Sequence, residues 1–178
     1  MAEPKYNPAG DGVTHINVYS NGKTKIGQAL SHMHHAPWNT ADGQFECFEG
    51  WWFWQLAGNS GVQLALFGAD REKLRTLNGK DAKKEGTAIV GKKNDWPEAA
   101  SLATFKAKYE AAAKAKLVQY PDLVVLLRTS TLPLVHYYIV KEYKGELFTY
   151  SDPRGDWMMD LWGLFRYKLQ HGVAVINL

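Results

Sequence analysis

The chain has 178 residues and a mass of 20.1 kDa, the size of one domain, and folding at that size buries roughly 70% of the unfolded chain's surface without disulfides or metals. Charged residues at 22% and hydrophobic residues at 46% exclude a disordered chain, and the longest aliphatic run, Leu123 to Leu127, is far short of the roughly 20 residues of a membrane-spanning helix. The lone Cys47, and an opening MAEPKYNPAGDG without the basic and apolar segments of a secretory signal, lead us to expect a cytoplasmic protein.

Residues 1–12, punctuated by Pro and Gly, are expected to be a flexible N-terminal segment, followed by a single domain over 13–178. Ile16 to Ser20 (INVYS) alternates as a short strand does, and Asn21-Gly22 is a turn. A short helix is predicted near Ile26 to Met33, then a turn at Thr40 to Gly43 into a strand at Gln44 to Phe48. Glu49 to Leu56 (EGWWFWQL) is apolar almost all round, which suits a buried helix starting just after the strand. Four of the seven Trp fall in or near this stretch: Trp38, Trp51, Trp52 and Trp54. Two short helices follow, Ala69 to Leu77 and Lys80 to Glu85, separated by Asn78-Gly79, the second ended by Gly86. The clearest helix is Pro97 to Tyr120, with Pro97 at N1 and Leu102, Phe105, Tyr109, Ala112, Ala113, Lys116 and Leu117 at i, i+3, i+4 spacing. Pro121 breaks it, and Leu123 to Thr129 is a second helix or a buried strand. Leu134 to Tyr143 and Glu146 to Tyr150 read as strands across Lys144-Gly145, Met159 to Leu169 as the last helix, and Val173 to Leu178 as a closing strand. Helices and short strands thus follow one another in what the length marks as one domain, with no internal repeat.

Net charge is +3 and unevenly placed. Arg71 to Lys93 carries eight Lys or Arg against three acids, and Lys106 to Lys116 carries four against Glu110, so the rest of the chain is acidic. A basic middle in an acidic protein is the footprint of a phosphate-bearing ligand, nucleotide or nucleic acid; the plainer alternative is a set of solvated helix faces. His32, His34 and His35 with Glu46 or Glu49 invite a metal reading. Without an HExxH pairing or a Cys partner, a loop or pocket-edge histidine cluster is the better one, and no metal is expected. Cys47 ranks low as a nucleophile, because a single thiol between Glu46 and Phe48 in a strand is usually buried and inert. No glycine run matches a phosphate loop or a dinucleotide fingerprint, and no cofactor is expected. Carboxylates are better candidates. Glu49 interrupts an apolar segment where burying an unpaired acid is costly, so it is either a helix-start carboxylate or a catalytic one. Asp152, Asp156 and Asp160 sit in the turn-rich SDPRGDWMMD, where turn and cap roles account for any one of them.

The ordered blocks INVYS, LSHM (Leu30 to Met33), FECFEGWWFWQ (Phe45 to Gln55), KDAKKEG (Lys80 to Gly86), KKNDW (Lys92 to Trp96), FKAKYE (Phe105 to Glu110), LLRTSTLPLVH (Leu126 to His136) and DLWGLFRYKL (Asp160 to Leu169) resemble the NADAR superfamily, also called YbiA-like. The resemblance extends over Ile16 to Leu169. It implies an α+β, helix-rich domain acting on ADP-ribose-like or phosphoribosyl substrates. Family members hydrolyse N-glycosidic bonds, either in riboflavin-pathway intermediates or in removing ADP-ribose from modified guanine bases. By the same resemblance the family's active-site glutamate is Glu49, its tryptophan after the basic stretch is Trp96, and an acid near the C-terminal turn is Asp152 or Asp156. Candidate substrate-binding positions, with Trp96, are Asn17, Tyr19, His32, Trp52, Lys83 and Lys84. His32 stands where the family has asparagine, Gly50 where it has histidine, Leu56 where it has lysine, and His136 where it has glutamate.

Breaking a ribosyl C–N bond passes through an oxocarbenium-like state, which needs a carboxylate near the anomeric carbon and an acid to protonate the departing base. Glu49 with Asp152 or Asp156 supplies both, Trp96 or Trp52 stacks on the base, and Lys83 and Lys84 hold a phosphate or pyrophosphate. The expected activity is therefore hydrolysis of an N-glycosidic bond in an ADP-ribosylated nucleobase or related phosphoribosyl compound, with no membrane partner. One alternative is a module that sequesters an ADP-ribose-type nucleotide without turnover, suggested by the replaced histidine and lysine. Another is a nucleic-acid binder using the basic middle with aromatic stacking.

Overall fold

The computed structural model describes residues 6–59, 70–91, 103–143 and 146–178, with the backbone alone at 59, 141–143, 146 and 147. In chain order the helices are α1 (Lys25–Leu30), α2 (Phe48–Asn59), α3 (Gly79–Val90), α4 (Ala103–Gln119), α5 (Pro121–Thr129) and α6 (Asp156–Gln170). The strands are β1 (Ile16–Asn17), β2 (Trp38–Thr40), β3 (Gly43–Phe45), β4 (Leu134–Val135), β5 (Tyr138–Tyr143) and β6 (Glu146–Tyr150). The fold is α+β and helix-rich, and among the described residues its strands pair as three two-stranded ladders. No helix of the described residues is long and apolar enough to cross a membrane. By internal contacts the chain divides into two compact units, Met1–Ser31 with Tyr120–Leu178, and His32–Gln119.

In the first unit, Asn7 caps a 3-10 turn over Pro8–Gly10, within the segment expected to be flexible. Asp11 is buried just beyond it, and its carboxylate accepts the Asn17 N–H at 2.9 Å and the Lys23 N–H at 2.7 Å. β1 covers only the start of INVYS and runs parallel to β4, Ile16 opposite Leu134 and Asn17 opposite Val135. The single strand expected over 134–143 is interrupted at His136 and Tyr137. The cause is Asn17, whose side chain accepts the Tyr137 N–H at 3.1 Å and donates to the Tyr137 carbonyl at 3.2 Å, so the ladder cannot continue through that residue. β5 then pairs with β6, Tyr138 opposite Tyr150, with a bulge between Ile139 and Lys141. Pro121 opens α5 as an N1 residue, and Leu123 and Leu127, one turn apart, are its buried face, which resolves the helix-or-strand alternative in favour of helix. α6 begins at Asp156, three residues before the expected start, and buries Trp162, Phe165 and Leu169. The expected closing strand is a 3-10 turn at Val175–Asn177, its backbone satisfied locally by Asn177 N–H to the Ala174 carbonyl and Leu178 N–H to the Val175 carbonyl.

In the second unit, β2 and β3 form a hairpin with Trp38 opposite Phe45. α2 starts at Phe48 and is buried from Phe48 to Phe53, as an all-apolar helix must be. Gly86 does not end α3. A Cβ there would overlap the Phe53 ring, so the glycine instead lets α3 approach α2 closely, and the helix runs on to Val90 with Gly91 as its cap. α4 buries Phe105, Tyr109, Ala112, Ala113, Lys116 and Leu117 of the predicted stripe, while Leu102 and the expected start at Pro97 lie outside the described residues. Residues 70–73 are helical. The Arg71 guanidinium lies 3.3 Å over the Trp54 ring, and its Nε donates to the Trp54 carbonyl at 2.7 Å. Arg75 also faces Trp54 and pairs with Glu72, and Lys73 pairs with Asp70 at 2.8 Å, so these members of the basic stretch have partners within the fold.

Candidate active site

Helix starts leave backbone N–H groups without helical partners. At α2 the Glu49 N–H is met by the His32 carbonyl at 2.9 Å, which ties the segment after α1 to the helix start and sets His32 beside Glu49. His32 Nδ1 is then 3.5 Å from Glu49 Oε2, and His32 Nε2 is 3.0 Å from the Tyr109 hydroxyl. The imidazole stacks on Phe48 with 5.3 Å between centroids and meets Trp52 at 5.4 Å and Tyr109 at 5.6 Å. Trp52 stands edge-on to Phe105 at 4.8 Å. The Glu49 side chain keeps 12% of its surface exposed and that of His32 20%, so the pair sits in an aromatic setting without being sealed in it. A carboxylate placed this way can stabilise a developing positive charge or take a proton from water, while the rings of Phe48, Trp52 and Tyr109 around His32 are buried.

Beneath this pair lies a buried amine. Lys116 is only 2% exposed, with its Nζ 5.9 Å from the centre of the Trp38 ring and 5.7 Å from that of Phe48. Burial lowers its pKa to about 8, against a smaller opposing contribution from Cys47. Burial also pushes the Cys47 thiol up. Its Sγ accepts from Gly79 N–H at 3.3 Å and from Gly50 N–H at 3.5 Å, an inert setting that matches the low rank given to it as a nucleophile. His35 pairs with Glu46 at 2.8 Å, separately from His32 and Glu49, and among the described residues no group of three or more His, Cys, Asp or Glu is placed to hold a metal ion.

Of the residues that the sequence offered as a site, Glu49, His32 and Trp52 are together. Lys83 and Lys84 lie in the same unit on the exposed face of α3, opposite its buried Ala82 and Gly86. Trp96 lies outside the described residues. Asn17, Tyr19, Asp152 and Asp156 belong to the first unit. Asn17 is 2% exposed with its amide engaged at both ends by Tyr137, which makes it a clamp on the chain path. The Tyr19 ring meets Tyr138 edge-on at 5.9 Å. Asp152 is the N-cap of the 3-10 turn Pro153–Gly155, accepting from Arg154 N–H at 3.1 Å, and the Arg154 guanidinium grips both of its oxygens, each at 3.1 Å. A proton donor to a leaving base would first have to break that charge-assisted pair. Asp156 occupies the first turn of α6, where a negative charge is favoured by the helix dipole. A cleft of about 320 Å³ in the first unit, between Ile16, Lys25 and Leu132, includes none of these residues.

Two of the residues noted as differing from the resembled family are fixed by their surroundings. A Cβ on Gly50 would run into the Leu74 carbonyl, so no histidine fits at that position, and Leu56 is wholly buried, where a lysine would have no solvent. The residue the sequence reading did not single out is Tyr109, counted only as part of the apolar stripe. Its signal was chemical: a buried tyrosine hydroxyl needs a hydrogen-bond partner, and a histidine supplies one. No family model matches this chain, nor does any curated protein or any solved structure.

Proposed function

We propose that this protein hydrolyses an N-glycosidic bond in an ADP-ribosylated nucleobase or a related phosphoribosyl compound, with Glu49 as the catalytic carboxylate. One observation carries the reading: the acid is held, partly exposed, at the start of a largely apolar helix beside His32, whose ring packs against Phe48, Trp52 and Tyr109. Its place in the first turn of α2 suits a negative charge, and its partly exposed side chain leaves it able to meet a ligand as well. In the proposed step, Glu49 takes a proton from water as the water oxygen bonds to the anomeric carbon; the C–N bond breaks, its electron pair leaves with the base, the base takes a proton from solvent, and Glu49 returns its own to solvent. Trp52 is left to its packing against His32 and Phe105, and Lys83 and Lys84 offer charge to the phosphates. Asp152 is left to its cap and Arg154, and Asp156 to its helix start, with no step assigned to either.

The test is release of free base from an ADP-ribosylated guanine nucleoside or oligonucleotide, followed beyond one equivalent per protein. The expected result is multiple turnover, reduced by roughly 10²- to 10⁴-fold in Glu49→Gln with an unchanged thermal transition. Tight binding of the intact ligand without release, unaltered in Glu49→Ala, would replace this reading with that of a sequestering module. Binding of unmodified nucleic acid that weakens steeply with salt would replace it with that of a nucleic-acid binder.

A further inference from the structure

We infer that His32 and Tyr109 are positioning residues for Glu49: the Tyr109 hydroxyl donates to His32 Nε2, which leaves the ring N–H on Nδ1, aimed at the Glu49 carboxylate. This rests on the reading of Glu49 as the reacting group and adds the device that aims it. A neutral imidazole has one donor and one acceptor nitrogen, and the hydrogen bond made by one nitrogen sets the role of the other. Here each nitrogen has its own neighbour, Tyr109 at 3.0 Å from Nε2 and Glu49 at 3.5 Å from Nδ1. With the proton on Nε2, the Nδ1 lone pair would face a carboxylate oxygen, and two acceptors would oppose each other. With the proton on Nδ1, both contacts become favourable at once, Tyr109 donating and Glu49 accepting.

The ring has no easy way out of this arrangement. It is stacked on Phe48, bounded by Trp52 and Tyr109, and anchored by its own carbonyl to the Glu49 N–H, so donor and carboxylate belong to one fixed assembly. Tyr109 is fully buried on α4, which holds its hydroxyl in place as a rigid element should. Of the two Glu49 oxygens, Oε2 is the one at 3.5 Å from His32 Nδ1, and Oε1 is the oxygen assigned to take the proton of the attacking water. Other titratable groups in this neighbourhood are Cys47, raised first by burial and also by the Glu49 charge, and His34, lowered first by burial and also by Lys116.

The experiment uses the full chain labelled with ¹⁵N in its histidines, whose two-bond ¹H–¹⁵N couplings distinguish the tautomers without any substrate. The expected result is a neutral His32 protonated on Nδ1, passing to a mixture of tautomers in Tyr109→Phe. A second arm measures turnover. Asn presents an amide near the position of Nδ1 and Gln one near that of Nε2. His32→Asn should therefore keep kcat within about tenfold, whereas His32→Gln should lose about 100-fold in kcat with little change in KM, the size of a misaimed group. A wild-type His32 protonated on Nε2, no tautomer change in Tyr109→Phe, or equal kcat in the Asn and Gln variants would overturn the inference. Nδ1 protonation together with no turnover by the wild-type protein would leave the positioning intact and remove the hydrolase reading instead.

Discussion

Asn17 in the first unit and Glu49 in the second are both buried, at 2% and 9% exposed, yet their polar atoms point to different kinds of partner. The Asn17 amide closes on the backbone N–H and carbonyl of Tyr137, and Asp11 nearby closes on the backbone N–H groups of Asn17 and Lys23. Glu49 meets another side chain, His32, and both keep some surface. Bonds from side chain to backbone fix where the chain runs, because losing one leaves a buried peptide group unsatisfied. A pair of partly exposed side chains fixes nothing comparable and keeps lone pairs for a ligand. Burial alone would rank the two residues together; the identity of the partner separates the clamp from the proposed reactive group.

The sharpest way to break this contrast is to mutate both. Asn17→Ala leaves the Tyr137 N–H and carbonyl without their partner and should cost about 2–4 kcal/mol in denaturant unfolding. Glu49→Gln should cost less than about 1 kcal/mol by the same measurement, since it removes charge and little packing. Equal losses would make Glu49 a structural residue.

The two units should also respond to pH with opposite sign. Lys116 has a folded pKa of about 8, below its ordinary value of 10.5. Between the two the unfolded chain binds the extra proton, so stability should rise as pH climbs from about 8 to 10.5, by at most about 3 kcal/mol. Tyr137, pushed up to about 12 by burial and then by Asp11, holds its proton in the folded state after the unfolded chain has lost it, so stability should fall as pH rises above 10. Lys116→Met should abolish the first slope and Tyr137→Phe the second, both read from denaturant midpoints across pH. A slope that persists in its variant would mean another group carries it.

Glycines sharpen the contrast at smaller scale. Gly86→Ala forces a methyl against the Phe53 ring and should lower stability by about 1–3 kcal/mol. Gly163→Ala in α6, with nothing within 4 Å of the added carbon, should raise it by about 0.5–1 kcal/mol, and a shared sign in thermal unfolding would contradict these surroundings. Smallest in stability is Lys83→Ala with Lys84→Ala, expected to stay within about 0.5 kcal/mol because both side chains are exposed. The same double variant should weaken phosphorylated ligands by about 1–3 kcal/mol and spare dephosphorylated ones. Equal weakening of both ligands would separate these lysines from phosphate binding.

α2 and the stripe on α4 were legible in the sequence because their signal is periodic and local: an all-apolar run and a set of i, i+3, i+4 positions. Gly86 and the break at His136 were not, because each depends on a residue far away in the chain, Phe53 in one case and Asn17 in the other. The same division holds in the site. Glu49 stood out as a lone acid in an apolar segment, whereas its tie to Tyr109 passes through His32, 77 residues away from that tyrosine, and no local pattern records it. Lys116 was a milder case, a cation on an apolar stripe whose burial could be read from its position but whose aromatic neighbours could not.

The partition of the chain has a consequence for the order in which the protein is made. Residues 32–119 are contiguous, so the ribosome delivers the second unit with all of its internal partners. The first unit is split across both ends of the chain, and Asn17 must wait for Tyr137, 120 residues later, before its amide has anything to hold. Asp11 needs only Asn17 and Lys23 and can close early, which keeps the leading segment gathered in the meantime. Closing a loop of that length is entropically slow compared with local contacts. The nascent chain therefore carries an assembled Glu49 neighbourhood while β1 is still an open strand edge, and that edge stays unpaired until Leu134 and Val135 emerge.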